Sequence, residues 1–260
     1  MYTLGIDIGS AATKGVILRD GREIVSSVKI ASGTGTKGAE RVMAQLFLES
    51  GLAREDIAAT VATGYGRNQF EGADKQISEL SCHARGVSFL VPGARTIIDI
   101  GGQDAKTIKL NTKGRMAEFV MNEKCAAGTG RFLDVMANVL ETTVDQLGDL
   151  DSQAVEALSI SSTCTVFAES EVISHLSNGK QTADIIRAIH QSVAKRTCGL
   201  ARRLGVEPIV AMTGGVAQNK GVVRALEQEL GLPITVPENP QIVGALGAAI
   251  LAWESVEHET

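Results

Sequence analysis

The sequence has few aromatic residues, no long hydrophobic run and no excess of positive charge. Aromatic side chains make up 3% of the 260 residues, too few for the base-stacking surfaces that bind single-stranded nucleic acid. The formal net charge is −5, which argues against a broad phosphate-backbone surface, so we expect no nucleic-acid partner. No apolar run approaches the roughly 18 residues of a membrane span, so we expect no membrane association.

Two further absences concern location and cysteine chemistry. The opening residues MYTLGIDIGS lack the basic and apolar regions of a secretory signal peptide, so we expect a cytoplasmic protein. Structural disulfides are then not expected. The spacing of the cysteines contains no Cys-x-x-Cys pair, so the local ferredoxin pattern is missing. Metal binding, catalysis and simple burial stay open for Cys82, Cys125, Cys164 and Cys198.

The content of apolar, charged and glycine residues indicates a soluble globular protein with many turns. Apolar residues make up 44% and charged residues 21%, which is ordinary for such proteins. The chain contains 28 glycines, which indicates tight turns or close backbone approaches. A chain of 260 residues is near the size at which one core divides into two, so we expect two domains.

An apolar strand followed by a glycine turn occurs twice, 92 residues apart. Asp7-Ile8-Gly9 recurs as Asp99-Ile100-Gly101, and Lys14 falls on Lys106. A carboxylate at the end of such a strand can hold a divalent ion or a water, and the glycine lets backbone N–H groups approach phosphate oxygens. A glycine-closed hairpin would explain either copy alone, but the in-register duplication favours two phosphate loops.

A third glycine motif lies between a predicted strand and a predicted helix. The segment TGGVAQN spans residues 213–219, and the N-terminus of the helix that follows it favours anions. Together, GIDIGSAATK, DIGGQDAK and TGGVAQN resemble the two phosphate motifs and the adenosine motif of the ATPase superfamily that contains sugar kinases, Hsp70 and actin. The resemblance implies an α/β fold with two ribonuclease-H-like domains, and ATP or ADP with Mg²⁺ in the cleft between them.

This resemblance implies residue roles, and the turn at Pro92-Gly93 marks the expected domain limit. We expect one domain over residues 1–92 and a second over 93–243, with a final helix over 244–260 that packs back onto the first domain. Gln103 or Asp104 would position the attacking water, and Asp7 and Asp99 would organise Mg²⁺ through water. The repeated lysines would offset phosphate charge. The implied phosphate and adenosine contacts are Gly9, Ser10, Ala11, Ala12, Thr13, Lys14, Gly101, Gly102, Gln103, Thr213, Gly214, Gly215, Asn219 and Gln241.

A closer resemblance covers the chain from end to end. The segments NEKCAAGTGRFLD, SSTCTVFAESEVISHL and ATGYGRN are similar to the activators of 2-hydroxyacyl-CoA dehydratases, which are related to the ATPase subunits of benzoyl-CoA reductase. The resemblance implies a homodimer with one [4Fe–4S] cluster at the subunit interface, held by Cys125 and Cys164 of each chain. It also implies ATP-driven transfer of one electron from a reduced ferredoxin or flavodoxin to a dehydratase component.

The residues around the two cysteines are compatible with this implication. Helices are predicted over 128–140 and 166–177, just after Cys125 and Cys164, and free N–H groups at a helix start would favour a thiolate and a negatively charged cluster. Two ligands per chain become four around a two-fold axis. Cys82 and Cys198 lie in apolar helical patterns and are interpreted as small buried hydrophobes. No motif supports catalysis by a histidine, so we interpret His83, His175, His190 and His258 as structural or solvated.

Two other function classes are compatible with the fold. A small-molecule kinase, such as a sugar kinase, would need an acidic general base and a polar sugar cleft, but the segment that would carry the sugar is the one that carries the cysteines. A non-catalytic ATP sensor or chaperone with structural cysteines is the third class. Anaerobically purified protein with about four irons per dimer would favour the activator over both.

Overall fold

The computed structural model describes residues 1–161 and 164–257, and His258 lies outside them. The chain forms two compact units. Unit 1 comprises Met1–Ala94, Leu110–Ala117 and the C-terminal stretch from Gln241. Unit 2 comprises Arg95–Lys109 and Glu118–Pro240. Among the described residues, no helix is both long enough and apolar enough to cross a bilayer.

Unit 1 is built on a five-stranded mixed sheet in the order β3-β2-β1-β4-β5. The central strand β1 is buried along nearly its whole length, which explains its continuous apolar pattern. A tight turn at Asp20-Gly21, where both residues have positive φ, joins β2 to β3. The elements are β1 (Tyr2–Ile8), β2 (Thr13–Arg19), β3 (Glu23–Ile30), α1 (Gly38–Ser50), β4 (Ile57–Thr63), β5 (Lys75–Gln76) and α2 (Glu79–Leu90).

Unit 2 contains a second five-stranded sheet with the equivalent central hairpin, in the order β10-β9-β6-β7-β8. One hydrophobic core joins the sheet to its helices, with Phe132 among its largest fully buried side chains. The elements of this part are β6 (Thr96–Ile100), β7 (Ala105–Leu110), β8 (Met116–Asn122), α3 (Gly130–Val139), α4 (Val144–Leu150), α5 (Thr165–Ser177), α6 (Thr182–Arg202), β9 (Val210–Thr213), α7 (Lys220–Leu230) and β10 (Ile234–Thr235).

The last helix, α8 (Val243–Glu257), packs against β1 and α2 of unit 1. Small residues allow a very close approach: a Cβ on Gly5 would lie 2.0 Å from the carbonyl oxygen of Ala245, and one on Gly247 would lie 1.8 Å from that of Cys82. The hydroxyl of Thr3 donates to the carbonyl of Ala249 at 2.9 Å. The glycines at these two positions therefore set the distance between the helix and its neighbours.

The helices that follow the two cysteines begin close to the predicted positions. The helix predicted from residue 128 begins at Gly130, because Thr129 still has the extended backbone of an N-cap. The helix predicted from residue 166 begins at Thr165, with Cys164 as its N-cap residue. The chain between Cys125 and α3 is a turn that includes Gly128, whose φ of +82° suits glycine.

Candidate functional site

The duplicated sequence motif is a duplicated structure. In the β1–β2 pair Asp7 lies opposite Lys14, and in the β6–β7 pair Asp99 lies opposite Lys106. The connecting turns close with equivalent backbone bonds: Gly9 N to the carbonyl of Ala12 at 3.1 Å, and its counterpart at 2.9 Å in unit 2. Each unit therefore presents a strand, a glycine turn and a second strand, with a carboxylate and an ammonium group facing each other across the hairpin.

In unit 1, Asp7 has one bonded and one unbonded carboxylate oxygen. The residue is 3% exposed, and the Nζ atom of Lys14 lies 3.0 Å from its Oδ2 atom. The Oδ1 atom is buried and has no hydrogen-bond partner among the described residues. A Cβ on Gly64 would lie 2.5 Å from this Oδ1 atom, so glycine there keeps space beside it. An orphaned buried carboxylate oxygen is costly unless a cation or water satisfies it.

In the rest of this turn, residues 10–12 are accessible, whereas Thr13 is buried and holds the turn in place. Ser10, Ala11 and Ala12 are half-buried or exposed, so their backbone is accessible to a ligand. Thr13 is fully buried, and its hydroxyl donates to the carbonyl of Ser32 at 2.7 Å. The predicted phosphate contact of Thr13 is therefore not supported for its hydroxyl, which holds the turn against the next loop instead.

In unit 2, the equivalent turn contains a buried ionic cluster. The Nζ atom of Lys106 lies 2.8 Å from Oδ2 of Asp104 and 3.5 Å from Oδ2 of Asp99, and all three residues are at most 5% exposed. The hydroxyl of Thr213 donates to Oδ1 of Asp99 at 2.8 Å. Of the two residues predicted to position water, Asp104 is bound to Lys106, whereas Gln103 is exposed.

The second turn is bonded directly to the helix that follows Cys125. The backbone N–H of Gly130 donates to the carbonyl of Gly101 at 2.9 Å, and that of Arg131 donates to the carbonyl of Gly102 at 2.8 Å. The expectation that the first N–H groups of this helix are free for a cluster is therefore wrong for α3. The glycine turn supplies the acceptors that a helix start normally requires.

A Thr-Gly pair at the end of a parallel strand is a further repeated feature. Strand β4 ends at Thr63-Gly64 and β9 ends at Thr213-Gly214, in each case beside the aspartate of the repeat. Both glycines have positive φ, 84° and 87°. A Cβ on Gly214 would lie 2.3 Å from the carbonyl of Ile100, so no other residue fits. Sequence reasoning found only the second pair, although the matching dipeptide after an apolar strand is visible in both places.

The predicted adenosine loop ends in a buried polar network. Asn219 caps α7, because its Oδ1 atom accepts from the N–H groups of Gly221 and Val222 at 2.9 and 3.1 Å. Its Nδ2 atom lies 3.2 Å from Nε2 of His190, whose Nδ1 atom lies 2.7 Å from Oδ2 of Asp151. Because the Asp151 carboxylate accepts a hydrogen bond from Nδ1–H of His190, Nε2 is the acceptor for the Asn219 amide. This network fixes the orientation of the Asn219 side chain.

The four cysteines divide into two buried and two accessible thiols. Cys82 and Cys198 are 0% exposed, and burial raises the pKa of each thiol to about 12. Cys125 is half-buried and Cys164 is exposed. The backbone carbonyl of Cys125 accepts from the amide of Asn122 at 2.9 Å. The interpretation of Cys82 and Cys198 as buried hydrophobes is confirmed, and the two remaining thiols are the ones that a ligand can reach.

Three further residues singled out in the sequence have defined contacts. His83 is buried in α2 with its Nε2 atom 3.8 Å from Oε1 of Glu79, and His175 contacts the carbonyl of Ser159 at 3.2 Å through Nε2. Gln241 is half-buried, and its Oε1 atom accepts from Nζ of Lys29 at 2.7 Å. The predicted adenosine contact of Gln241 stays a prediction.

Comparison with known proteins identifies relatives along the whole chain. An activator of lactoyl-CoA dehydratase from Anaerotignum propionicum is 61% identical over 257 residues, 99% of each chain. A solved structure of the activator of the 2-hydroxyisocaproyl-CoA dehydratase from Clostridium difficile, with bound ADPNP, is 58% identical with a TM-score of 0.97, covering 100% of this chain and 97% of that one. A subunit of benzoyl-CoA reductase from Thauera aromatica is 33% identical over 268 residues, 99% of this chain and 94% of its own.

A more distant structure bears on the fold alone. A ROK family glucokinase from Streptomyces griseus, in complex with glucose and AMPPNP, has a TM-score of 0.62 at 13% identity and covers 98% of this chain and 100% of its own. The predicted α/β fold of the sugar kinase, Hsp70 and actin superfamily and the predicted resemblance to dehydratase activators are confirmed. The model of the BadF/BadG/BcrA/BcrD ATPase family matches residues 4–252, and this chain therefore belongs to that family.

Proposed function

We propose that this chain is an ATP-driven activator that passes one electron from a reduced ferredoxin or flavodoxin to a 2-hydroxyacyl-CoA dehydratase. The relatives that are 61% and 33% identical bear the names of a dehydratase activator and of a benzoyl-CoA reductase component, which supports this direction. In each cycle one electron enters from the carrier and leaves to the dehydratase, while water cleaves ATP to ADP and phosphate. The protein would act in the cytoplasm as a homodimer.

The observation that carries the proposal is the bond between the second glycine turn and α3. If the turn at Gly101-Gly102 binds phosphate, a change in its backbone acts on the first two N–H groups of α3. Cys125 lies five residues before Gly130, the first residue of that helix. Nucleotide state can therefore alter the backbone around Cys125 without any intervening side chain. The shift that ATP can produce equals its difference in affinity for the two conformations.

Cys125 and Cys164 of each of two copies would hold a [4Fe–4S] cluster. Both thiols are accessible in a single chain, whereas the other two are buried, so the donor set fits a site that two copies complete. When bound, the cluster supplies a one-electron carrier whose potential depends on charge, hydrogen bonds and exposure. Val166 and Phe167, each 65% exposed, follow Cys164 on α5 and offer apolar surface to a second copy.

The nucleotide would be bound by the repeated turns and by the loop at residues 213–219. The accessible backbone N–H groups of Ser10–Ala12 and of Gly102 would donate to phosphate oxygens, whereas the N–H of Gly101 already donates to the carbonyl of Asp104 at 2.9 Å. The orphaned Oδ1 atom of Asp7 fits a water of a hydrated Mg²⁺ ion, and Asp99 is its equivalent in the repeat. Gln103, which is exposed, would position the attacking water, and the bound Asp104 would hold Lys106.

Electron delivery to a purified dehydratase, with and without ATP, tests the proposal. Anaerobically prepared protein is reduced, separated from the reductant, mixed with the dehydratase and followed by dehydration of the acyl-CoA substrate. Activation that requires hydrolysable ATP and is lost in Cys125→Ala is expected. A Cys125→Ala variant that keeps both its iron and its electron transfer would contradict the cluster assignment. Phosphorylation of a sugar by colourless protein would favour the kinase alternative instead.

A further inference from the structure

Unit 2 contains a cavity of about 390 Å³ beside the turn that follows Cys125. It lies between the second half of α6, the beginning of β7 and the end of β8. Its volume is in the range of small-molecule sites and is larger than a bare phosphate ion needs. Its lining residues are Ala105, Met121, Asn122, Ala127, Gly128, Lys195, Arg196, Thr197, Gly199, Leu200 and Arg203.

All the charged side chains that line the cavity are positive. Lys195, Arg196 and Arg203 line it, and none of its lining residues is an aspartate or a glutamate. Lys195 and Arg203 are exposed, and neither forms an ion pair within the part of the chain that the structure describes. Lys195 and Arg203 therefore give the cavity a local positive potential on a chain whose net charge is −5.

A buried hydroxyl gives a second, independent indication of a ligand. Thr197 lines the cavity and is 2% exposed, and its Oγ1 atom has no hydrogen-bond partner among the described residues. A buried hydroxyl without a partner costs free energy, and an acceptor atom in the cavity would remove that cost. Ala105 and Ala127, each 4% exposed, line the same cavity with small side chains. The polar side chains of the lining thus offer N–H and O–H donors.

We propose that this cavity binds a small organic molecule that carries several oxyanion charges, either phosphates or carboxylates. Lys195 and Arg203 at the accessible side would attract the anion, and Arg196 and Thr197 would donate hydrogen bonds to it. The proposal does not depend on electron transfer or on the cluster. It adds a ligand site to unit 2 that is separate from the glycine turns.

A ligand in the cavity would restrict the motion of the turn that follows Cys125. The side chain of Arg196 lies against Gly128, where an added Cβ would be 3.0 Å from its Cδ atom. Asn122, another lining residue, donates its amide to the carbonyl of Cys125 at 2.9 Å. An anion that holds Arg196 and contacts this wall would therefore reduce the motion of the turn. Amide exchange over residues 122–131 is a local readout of binding.

Titration with two probe anions tests the site while ADPNP saturates the nucleotide site. Pyrophosphate represents phosphates and citrate represents carboxylates; whichever binds more tightly by calorimetry identifies the class. Binding is expected to raise the thermal midpoint by several degrees and to slow amide exchange over residues 122–131. The variant Lys195→Gln/Arg203→Gln should bind at least tenfold more weakly, with an unchanged midpoint when no anion is present.

The control removes two exposed cations from unit 1 by Arg22→Gln/Lys113→Gln, which leaves the cavity intact and makes the same change in net charge. Full binding by the control together with loss in the cavity variant supports the site. The proposal is overturned if neither anion binds the wild-type protein, or if both double variants lose affinity equally.

Discussion

Burial raises the pKa of Cys82 and of Cys198 to about 12, so neither thiol forms thiolate near neutral pH. The thiolate is the form that alkylates, and both side chains are also closed to reagents. In cluster-free folded protein at pH 8, iodoacetamide should modify Cys164 first, then the half-buried Cys125, and leave the other two unmodified. Peptide mass spectrometry over time measures this order, and equal labelling of Cys198 and Cys164 would contradict it.

A matched pair of substitutions separates ligand loss from packing loss. Cys198→Ala should retain all the iron and lower the free energy of unfolding by about 1 kcal/mol, because it leaves a small cavity in the core. Cys164→Ala should lose the iron with little change in that free energy, since its side chain is exposed. The iron content of each variant measures ligand loss, and urea unfolding of its cluster-free chain measures the free energy of unfolding.

Asp151 makes stability depend on pH. Burial raises the pKa of this carboxyl, but the hydrogen bonds from His190 and Arg224 and the charge of Arg224 outweigh burial and hold the pKa below its usual value. A depressed folded-state pKa contributes stability above the unfolded value of about 3.9, and that stability is lost as the pH falls through the folded-state pKa. We expect Asp151→Asn to lower the free energy of unfolding by about 3 kcal/mol at pH 7, because it removes the buried carboxylate that binds His190 and Arg224.

The difference between the wild type and Asp151→Asn should shrink as the pH falls below about 4. Urea unfolding between pH 7 and pH 3 measures it. Asp149→Asn is the control, because this neighbouring carboxyl is exposed and its loss should change the free energy of unfolding by less than about 0.5 kcal/mol. A constant difference at every pH would show that the charge of Asp151 has no role.

At the scale of elements, a proline substitution tests the backbone bond from α3 to the second glycine turn. Gly130 is the first residue of α3, a position where proline fits a helix, and Thr129 before it has the extended backbone that proline requires. Gly130→Pro deletes the N–H that donates to Gly101 at 2.9 Å and puts a ring carbon in its place, so the carbonyl of Gly101 must move away from α3. The loss of the bond, about 1 kcal/mol, together with the displacement of the turn should weaken nucleotide binding at least fivefold.

Gly130→Ala is the control for that substitution. It adds the same Cβ, 3.2 Å from the carbonyl of Gly101, but keeps the N–H. Nucleotide should slow amide exchange over residues 122–131 in the alanine variant and have a much smaller effect in the proline variant. Identical protection in both variants would mean that the glycine turn does not act on the Cys125 segment through this bond.

Features that depend on neighbouring residues were predicted from the sequence. Hydrogen bonds between segments that are far apart in the chain were not. The strand and the glycine turn were predicted from the repeated Asp-Ile-Gly motif, and the structure adds that Asp7 lies opposite Lys14 across the hairpin. The use of the α3 amides by Gly101 and Gly102 joins segments 29 residues apart in the chain, so no helix-start pattern reveals it. The bond between Asp151 and His190 spans 39 residues and was missed for the same reason.

At the scale of the whole molecule, self-association is the prediction that follows from α5. Val166, Phe167 and Ile173 are 65%, 65% and 49% exposed, an unusual concentration of large apolar side chains on one helix. Cys164, the N-cap residue of the same helix, is also exposed. In the proposed dimer this helix supplies both a ligand and apolar contact surface. The predicted domain limits at residues 92 and 243 stay a prediction.

Iron removal should dissociate the dimer, because metal–thiolate bonds from both chains would hold it together. Anaerobic treatment with an iron chelator should raise the dissociation constant at least 100-fold, about 2.7 kcal/mol, which light scattering after size-exclusion chromatography measures as a change from dimer to monomer. The iron-free variants Cys125→Ala and Cys164→Ala should be monomers without chelator, whereas Cys198→Ala should stay a dimer. If the wild-type protein stays a dimer after its iron is gone, apolar contact alone holds the chains together and the cysteines do not bridge them.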